Sequence, residues 1–161
     1  MEVRPAHRGD AEAIRAIYNV EVTGSTSTFD IVERTLAEQI EWLDRHSGAH
    51  PAIVAIERGQ VCGFGSLSSY RDRAAYSTSV EDSVYVGTAW RRMGVGALLL
   101  AELVELATRH GFHTVIGRIA GGNEASVLLH ERCGFQVIGV EREVGRKFGR
   151  WLDVTLVQRL L

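Results

Sequence analysis

The sequence has little proline, little cysteine and no long hydrophobic run. Of its 161 residues, 2 are proline and 2 are cysteine. Cys62 and Cys133 lie far apart, without the close spacing of a metal site, so we predict two reduced thiols and no metal. The longest aliphatic run, Ala97 to Ala101, is too short to cross a bilayer. The N-terminal residues also lack the basic stretch and apolar run of a signal peptide, and we therefore predict a cytoplasmic protein.

An excess of charge of one sign is also missing. The chain has 18 basic and 20 acidic side chains, which gives a formal net charge of -2. Proteins that bind nucleic acid or anionic membranes usually carry a basic excess, so we predict neither as a partner. The hydrophobic fraction of 45% and the length fit a single globular domain over residues 1–161.

The pattern of apolar residues predicts, in chain order, a strand, two helices, three strands, a helix, a strand, a helix and two strands. This order predicts an α/β fold in which a central mixed sheet is flanked by helices. Asp10 is predicted to cap the first helix, Thr35 with Glu38 has the capping-box spacing at the start of the second, and Asn123 is predicted to cap the last. The third of the three consecutive strands is predicted over Tyr76–Val86.

A basic, glycine-containing turn joins the strand that ends in Val84-Tyr85-Val86 to a long apolar helix. The first N–H groups of a helix have no partner inside the helix, and its dipole adds positive charge there. Glycine lets a phosphate approach the backbone, and Arg91 and Arg92 add full charges, so the turn is predicted to hold a phosphate. The lysine of a P-loop is absent, and Leu99 stands where a dinucleotide fingerprint needs a third small residue. The alternative is that this segment binds no phosphate and is only an exposed turn followed by a core helix.

Two segments resemble the GCN5-related N-acetyltransferase (GNAT) superfamily. Arg91-x-x-Gly94-x-Gly96 resembles its acetyl-CoA pyrophosphate signature, and Asn123–Phe135 resembles its Asn-x-x-Ala/Ser-x-x-Leu-Tyr-x-x-x-Gly-Phe block. Further segments are similar to the phosphinothricin acetyltransferase group, namely Ser25–Asp30, Tyr70–Tyr76, Val80–Val86, Leu129–Glu131 and Lys147–Asp153. The resemblance implies the GNAT acyl-CoA N-acyltransferase fold, acetyl-CoA as cosubstrate, a homodimer, and direct acetyl transfer in a ternary complex. The implied acceptor is the amine of a small amino-acid-like molecule such as phosphinothricin, methionine sulfoximine or methionine sulfone.

The resemblance also implies which residues bind acetyl-CoA. The backbone N–H of Val86 is implied as the donor to the developing oxyanion. The full set expected to contact the cosubstrate comprises Val84, Tyr85, Val86, Arg91, Arg92, Met93, Gly94, Val95, Gly96, Ala97, Asn123, Ser126 and Arg132.

Two ionisable residues are implied as catalytic. An acceptor amine is mostly ammonium at neutral pH and must lose a proton, and Glu81 occupies the position of the general base in the resembling group. An outward-facing strand carboxylate is the alternative for this residue. His130 stands where most of the superfamily has a tyrosine acid. It either protonates the CoA thiolate, shares the base role with Glu81, or is structural.

The acceptor is expected to contact Arg71, Arg73 and Tyr76 on one side and Phe29 on the other. A guanidinium fork suits a carboxylate or phosphinate, whereas the alternative for this loop is a solvated polar surface. Lys147, Phe148 and Trp151 either close the pocket or lie at a dimer contact. Two other functions remain open: a protein or peptide N-terminal acetyltransferase, and a CoA-binding module without turnover. The arginine-rich loop favours a small acceptor over a peptide, and the presence of both candidate catalytic side chains favours an enzyme over a binding module.

Overall fold

The computed structural model describes all 161 residues. Its helices are α1 (Ala11–Gly24), α2 (Leu36–Arg45), α3 (Val95–Arg109) and α4 (Glu124–Arg132). Its strands are β1 (Glu2–Pro5), β2 (Ala52–Glu57), β3 (Gln60–Ser69), β4 (Ser79–Val86), β5 (Thr114–Ala120), β6 (Gln136–Lys147) and β7 (Arg150–Leu160). The predicted order of helices and strands is confirmed. None of the helices is long and apolar enough to cross a membrane.

All seven strands belong to one mixed sheet in the order β1-β2-β3-β4-β5-β7-β6. Every neighbouring pair is antiparallel except β4 and β5, which run parallel. That parallel pairing is short: it extends from Ser79 opposite Thr114 to Asp82 opposite Gly117. Beyond this point β4 remains paired with β3, and β5 remains paired with β7. A gap therefore opens between the C-terminal halves of β4 and β5.

The helices cover the two faces of the sheet and form two hydrophobic clusters. On one face α3 buries Val95, Leu99 and Leu103, which recur every four residues and so form one apolar stripe against β2, β3 and β4. On the other face α1 and α2 pack against β2 and β3, with Ile14 and Phe64 buried. The gap between β4 and β5 is thus held open between two well-packed layers.

Two helix starts test the capping predictions. The capping box of Thr35 and Glu38 is confirmed, because each side chain accepts a hydrogen bond from the other's backbone N–H. Asp10 occupies the N-cap position of α1 as predicted, but its carboxylate makes no capping bond to α1 and instead accepts from the His7 N–H and from Arg4. A short 3-10 turn over Arg8–Asp10 precedes α1, and it places this carboxylate back toward β1.

The strand predicted to begin at Tyr76 begins later, at Ser79. Ala74–Tyr76 instead forms a 3-10 turn, because the Tyr76 and Ser77 N–H groups bond back to the carbonyls of Arg73 and Ala74. The expected acceptor loop therefore has local helical structure at its end.

Candidate active site

The gap exposes backbone hydrogen-bonding groups of β4. The N–H of Gly87 donates to the Cys62 carbonyl of β3, so alternate residues before it direct their backbone groups the other way. Val86 and Val84 therefore present N–H and C=O groups toward β5, at positions where β4 and β5 no longer pair. An extended ligand with amide groups can bond to this open edge as an added strand would.

The N-terminus of α3 lies at the end of the same gap and has no side-chain cap. Its N-cap residue is Gly94 in the left-handed conformation (φ 83°), and the first helical bond runs from the Leu98 N–H to the Gly94 carbonyl. The N–H groups of Val95, Gly96 and Ala97 therefore lack intrahelical partners. Together with the helix dipole and the neighbouring arginines, they form an anion site.

A cavity of about 860 Å³ joins the gap to the start of α3. All residues predicted to bind acetyl-CoA line it except Met93, which is exposed. Asn123 caps α4 as expected: its side chain accepts from the Ser126 N–H at 3.2 Å. A methyl group at Gly96 would lie 3.1 Å from Leu129 Cδ2, so glycine keeps this wall open.

Several lining residues were missed by the sequence analysis. They come from α1 and the loop after it, from β4 and β5 and from α4, and include Glu21, Ser25, Ser27, Asp82, Ser83, Trp90, Arg118, Ile119 and Leu129. Glu21 is the most distant along the chain. Its carboxylate accepts from Arg91 and from Ser25 inside the cavity. The sequence of α1 alone does not indicate that Glu21 lines the cavity, because Glu21 pairs with Arg91, which lies 70 residues later in the chain.

His130 forms a buried pair with Asp82. His130 Nε2 lies 3.0 Å from Asp82 Oδ2, and His130 Nδ1 lies 2.7 Å from the Ser126 carbonyl oxygen. Burial alone lowers the pKa of His130, but the hydrogen bond and charge of Asp82, together with the Ser126 carbonyl, raise it above its ordinary value. Both members of the pair line the cavity.

Glu81 lies on the opposite face of β4 from Asp82, because successive side chains of a strand alternate. It faces the side covered by α1 and α2 and does not line the cavity. Burial raises the pKa of Glu81, Arg118 opposes that rise, and the negative charges of Asp82 and Glu141 add to it. Arg118 lines the cavity and also forms an ion pair with Glu141 on β6 at 2.6 Å.

The loop after α1 crosses β6 on the Glu81 side of the sheet and is held there by contacts with β6 side chains and backbone. Buried Lys147 donates to the carbonyls of Glu21 and Thr28, at 3.3 Å and 2.9 Å. Phe29 packs its ring directly on Gly145, where any β-carbon would overlap it. Phe29 keeps 41% of its surface exposed and therefore presents a ring face beside the sheet.

Arg71, Arg73 and Tyr76 are exposed and do not line the cavity. Their loop precedes β4, whereas the cavity is formed by the other end of that strand. The Arg71 guanidinium lies 5.1 Å from the Tyr70 ring centroid and 5.9 Å from that of Tyr76. The loop thus borders the end of β4 that carries Glu81.

The cavity has the groups that an acyl-CoA requires. The uncapped start of α3 with Arg91 and Arg92 suits a pyrophosphate, and the open edge of β4 suits an amide-containing arm. Residues for both ligand parts thus come from one segment of the chain, with Val84–Val86 at one end of the cavity and Gly94–Ala97 at the other.

Comparison with known proteins identifies the family. Residues 3–156 match the model of an acetyltransferase (GNAT) domain. The chain is 39% identical over 158 residues to the L-methionine sulfoximine/L-methionine sulfone acetyltransferase of Pseudomonas paraeruginosa, covering 97% of this chain and 92% of that protein. A phosphinothricin acetyltransferase from Sinorhizobium meliloti, solved with AcCoA, matches with a TM-score of 0.96 at 36% identity, over 99% of this chain and 88% of that one. A structure named ribosomal-protein-alanine N-acetyltransferase from Brucella melitensis matches with a TM-score of 0.98 at 37% identity, over 100% of both chains. The chain is therefore an acetyl-CoA-dependent N-acetyltransferase of the GNAT family.

Proposed function

We propose that the acceptor is a small amino-acid-like amine of the phosphinothricin, methionine sulfoximine or methionine sulfone type. The observation that carries this proposal is that the loop after α1 is held in place beside Glu81. Lys147 holds the Thr28 carbonyl at 2.9 Å, and Phe29 rests on Gly145, so the loop covers this side of the sheet instead of leaving an open groove. The names of the similar Pseudomonas and Sinorhizobium proteins agree with a small acceptor.

Glu81 is proposed as the general base. When bound, acetyl-CoA supplies the thioester carbonyl that the acceptor nitrogen attacks directly, without an acyl-enzyme. Glu81 accepts a proton from the ammonium, directly or through water, and its raised pKa brings its basicity closer to neutral pH. The Val86 N–H, which points into the gap, is proposed to donate to the developing oxyanion.

Arg71, Arg73 and Tyr76 are proposed to bind the anionic end of the acceptor. Glu81 is the third residue of β4, so about 7 Å of strand separates it from the end of this loop. Phe29 is proposed as the opposite wall. An acceptor held between them would present its amine to Glu81 and its carboxylate to the guanidinium groups.

The test is acetyl-CoA turnover, measured by thiol release, against phosphinothricin, methionine sulfoximine, methionine sulfone, ordinary amino acids and short peptides. We expect selective turnover of the first three. The double substitution Arg71→Ala with Arg73→Ala should remove that turnover while acetyl-CoA still binds, as measured by calorimetry. Turnover that survives this change would show that the acceptor site is elsewhere.

An N-terminal protein or peptide acetyltransferase is the second candidate. The observation in its favour is the match to the Brucella structure named ribosomal-protein-alanine N-acetyltransferase. The same panel separates the two candidates, because this enzyme would acetylate peptides beginning with alanine faster than any free amino acid.

We further propose that the enzyme is a homodimer. Large apolar side chains are exposed along the outer hairpin of β6 and β7, namely Val137, Ile138, Val140, Val144, Phe148 and Trp151. A second copy would cover this face, since contiguous apolar patches on soluble proteins commonly mark interfaces. Light scattering should give about twice the mass of 17.7 kDa. Trp151→Lys should shift the mass toward the monomer.

A cytoplasmic location is also proposed. Cys62 is buried and Cys133 is half-buried, and both are free thiols. Free thiols persist in a reducing compartment. Fractionation of the source cells would test this location directly.

A further inference from the structure

Glu81 shares one face of the sheet with a cation and a second carboxylate. Arg118 of β5 points to the same face as Glu81, because the residue two positions before it is the one paired with Glu81. Ala120, two positions after Arg118, lies opposite Val154 of β7, and Val154 lies opposite Glu141 of β6. The side chains of Glu81, Arg118 and Glu141 therefore all lie on the side of the sheet that carries the loop after α1.

Arg118 is paired with the more distant of the two carboxylates. With strands about 4.8 Å apart and residues about 3.3 Å apart, its Cα lies about 8 Å from that of Glu81 and about 12 Å from that of Glu141. The guanidinium nevertheless contacts Glu141, with Nη2 at 2.6 Å from Oε1. That oxygen is buried and has no other polar partner, so Arg118 is the group that balances its charge. One arginine thus lies between two carboxylates and pairs with Glu141.

The carboxylate of Glu81 has no ion pair and no side-chain hydrogen bond of its own. Glu81 is half-buried. Its pKa is raised by burial, against the opposing charge of Arg118, and the negative charges of Asp82 and Glu141 add to the rise. Both oxygens of Glu81 are therefore available to an incoming proton.

The other elements around Glu81 supply no free cation. Its partner on β3 is Ser68, whose hydroxyl lies 3.2 Å from Nε2 of His46, at the end of α2. Burial lowers the pKa of His46, so this imidazole is uncharged at neutral pH. In line with Glu81 on β7 is Gln158, and the Lys147 amine of β6 is engaged by two carbonyls. The exposed arginines of the loop before β4 form no ion pair with Glu81.

A guanidinium in contact with Glu81 would weaken it as a base. An opposite charge within about 4–6 Å lowers the pKa of a carboxyl by about 1–3. It would also occupy the oxygens that must receive the proton of the acceptor. In the structure Arg118 is bound to Glu141 instead, and Glu81 keeps both its raised pKa and its open oxygens.

We propose that Glu141 is a positioning residue, which holds the Arg118 guanidinium away from Glu81 and so leaves the Glu81 carboxylate open to the acceptor's proton. This inference rests on the proposed function, in which Glu81 is the base. The proton passes from the ammonium nitrogen to a Glu81 oxygen and then to solvent, while Arg118 and Glu141 keep their charges. The ion pair thus controls the basicity of a carboxylate with which neither of its members pairs.

The first experiment titrates Glu81 without turnover. Isotope-labelled glutamate side chains are titrated by NMR, and the spectrum of Glu81→Gln identifies the Glu81 signal. In Glu141→Gln the guanidinium is released to Glu81, and the Glu81 midpoint should fall by about 1–2 pH units. In Arg118→Leu the cation is lost, and the midpoint should rise. Glu143→Gln is the matched control, because it removes one exposed charge from the same strand and should leave the midpoint unchanged.

The double variant separates this mechanism from simple repulsion. Glu141 also repels the charge of Glu81 directly, so its loss lowers the Glu81 midpoint slightly in any background. If Glu141 acts through Arg118, the shift caused by Glu141→Gln should be much smaller when it is combined with Arg118→Leu. An equal shift in both backgrounds, or an unchanged midpoint in Glu141→Gln alone, would overturn the proposal.

The second experiment measures kcat/KM for the acceptor against pH. In Glu141→Gln the acid limb should move to lower pH together with the Glu81 midpoint, and the plateau should fall about 3–10-fold because the base is weaker. A uniform loss with neither the limb nor the midpoint moved would indicate a structural role and contradict the proposal. A shifted midpoint with an unmoved limb would show that Glu81 is not the base, which refutes the proposed mechanism and not the action of Glu141 on Glu81. Wild-type turnover of the acceptor panel decides the acceptor class separately.

Discussion

Glu21 and Arg91 form an ion pair inside the cavity, linking the last turn of α1 to the turn before α3. The Glu21 side chain is 7% exposed and Arg91 is 50% exposed, so the carboxylate is the buried partner. Ser25 donates to the other oxygen of Glu21. The turn proposed to bind pyrophosphate therefore has the negative charge of Glu21 beside its own positive charges.

This pair predicts opposite effects on acetyl-CoA binding. Arg91→Ala leaves the Glu21 carboxylate without its cation, and affinity should fall about 10-fold, which is about 1.4 kcal/mol. Glu21→Gln releases the Arg91 charge for phosphate, and affinity should rise by about 2–5-fold at low salt. Calorimetry on both variants and on the double variant measures these changes. A double variant whose affinity change equals the sum of the two single changes would contradict the coupling.

Glu81→Gln should separate activity from stability. Turnover should fall by about 10²–10⁴-fold if Glu81 is the base. The folded-state pKa of Glu81 is raised, so the unfolded chain ionises first and the wild type loses stability as pH rises from about 4.3 through the folded-state value. The variant should thus equal the wild type in unfolding free energy near pH 4 and exceed it at pH 7. Glu102→Gln, at an exposed ion pair with Arg109, is the control and should keep full turnover.

Gly145→Ala should weaken acceptor binding without changing acetyl-CoA binding. Its new methyl group would displace the Phe29 ring, while the cosubstrate cavity has no contact with either residue. We expect KM for the acceptor to rise about 10-fold, with the dissociation constant of acetyl-CoA unchanged. Phe29→Ala should have a similar effect, and combining the two should add little. A full additive loss would mean that Gly145 acts on the acceptor independently of Phe29.

Gly117→Ala should destabilise the protein through the Asp82–His130 pair. The added carbon would lie 2.7 Å from Val157 Cγ2 as well as close to both members of the pair. Overpacking of this kind costs about 1–3 kcal/mol, measurable by denaturant unfolding. Gly24→Ala is the control, because a methyl group there meets no atom within 4 Å. Equal stability of the two variants would show that the sheet relaxes around the new carbon.

The sequence was informative where structure depends on neighbours along the chain. The Thr35–Glu38 capping box, the turn before α3 and the Asn123 cap all involve residues within a few positions of each other, and each was predicted. The position of Asp10 at the N-cap of α1 was also predicted, but its side-chain bonds were not, because the 3-10 turn and Arg4 compete for its carboxylate.

The contacts that shape the site were not predictable in this way. Asp82 is 48 residues from His130, and Glu21 is 70 residues from Arg91. Only the sheet order brings such pairs together. The position of β7 between β5 and β6 is likewise set by packing of the whole sheet, since sequence order alone would place β6 beside β5.

The incomplete pairing of β4 with β5 has a consequence for ligand selection and for dynamics. Each strand has an internal edge that is open to a ligand but flanked by β3 and β7, so only a chain about as thin as a polypeptide can enter. A cosubstrate arm bound in this gap would link the two halves of the sheet where β4 and β5 do not pair with each other. Amide hydrogens of Val84 and Val86 should therefore exchange rapidly without ligand and slowly with it. The melting temperature should follow acetyl-CoA concentration, and the enzyme becomes most rigid when it is ready to react.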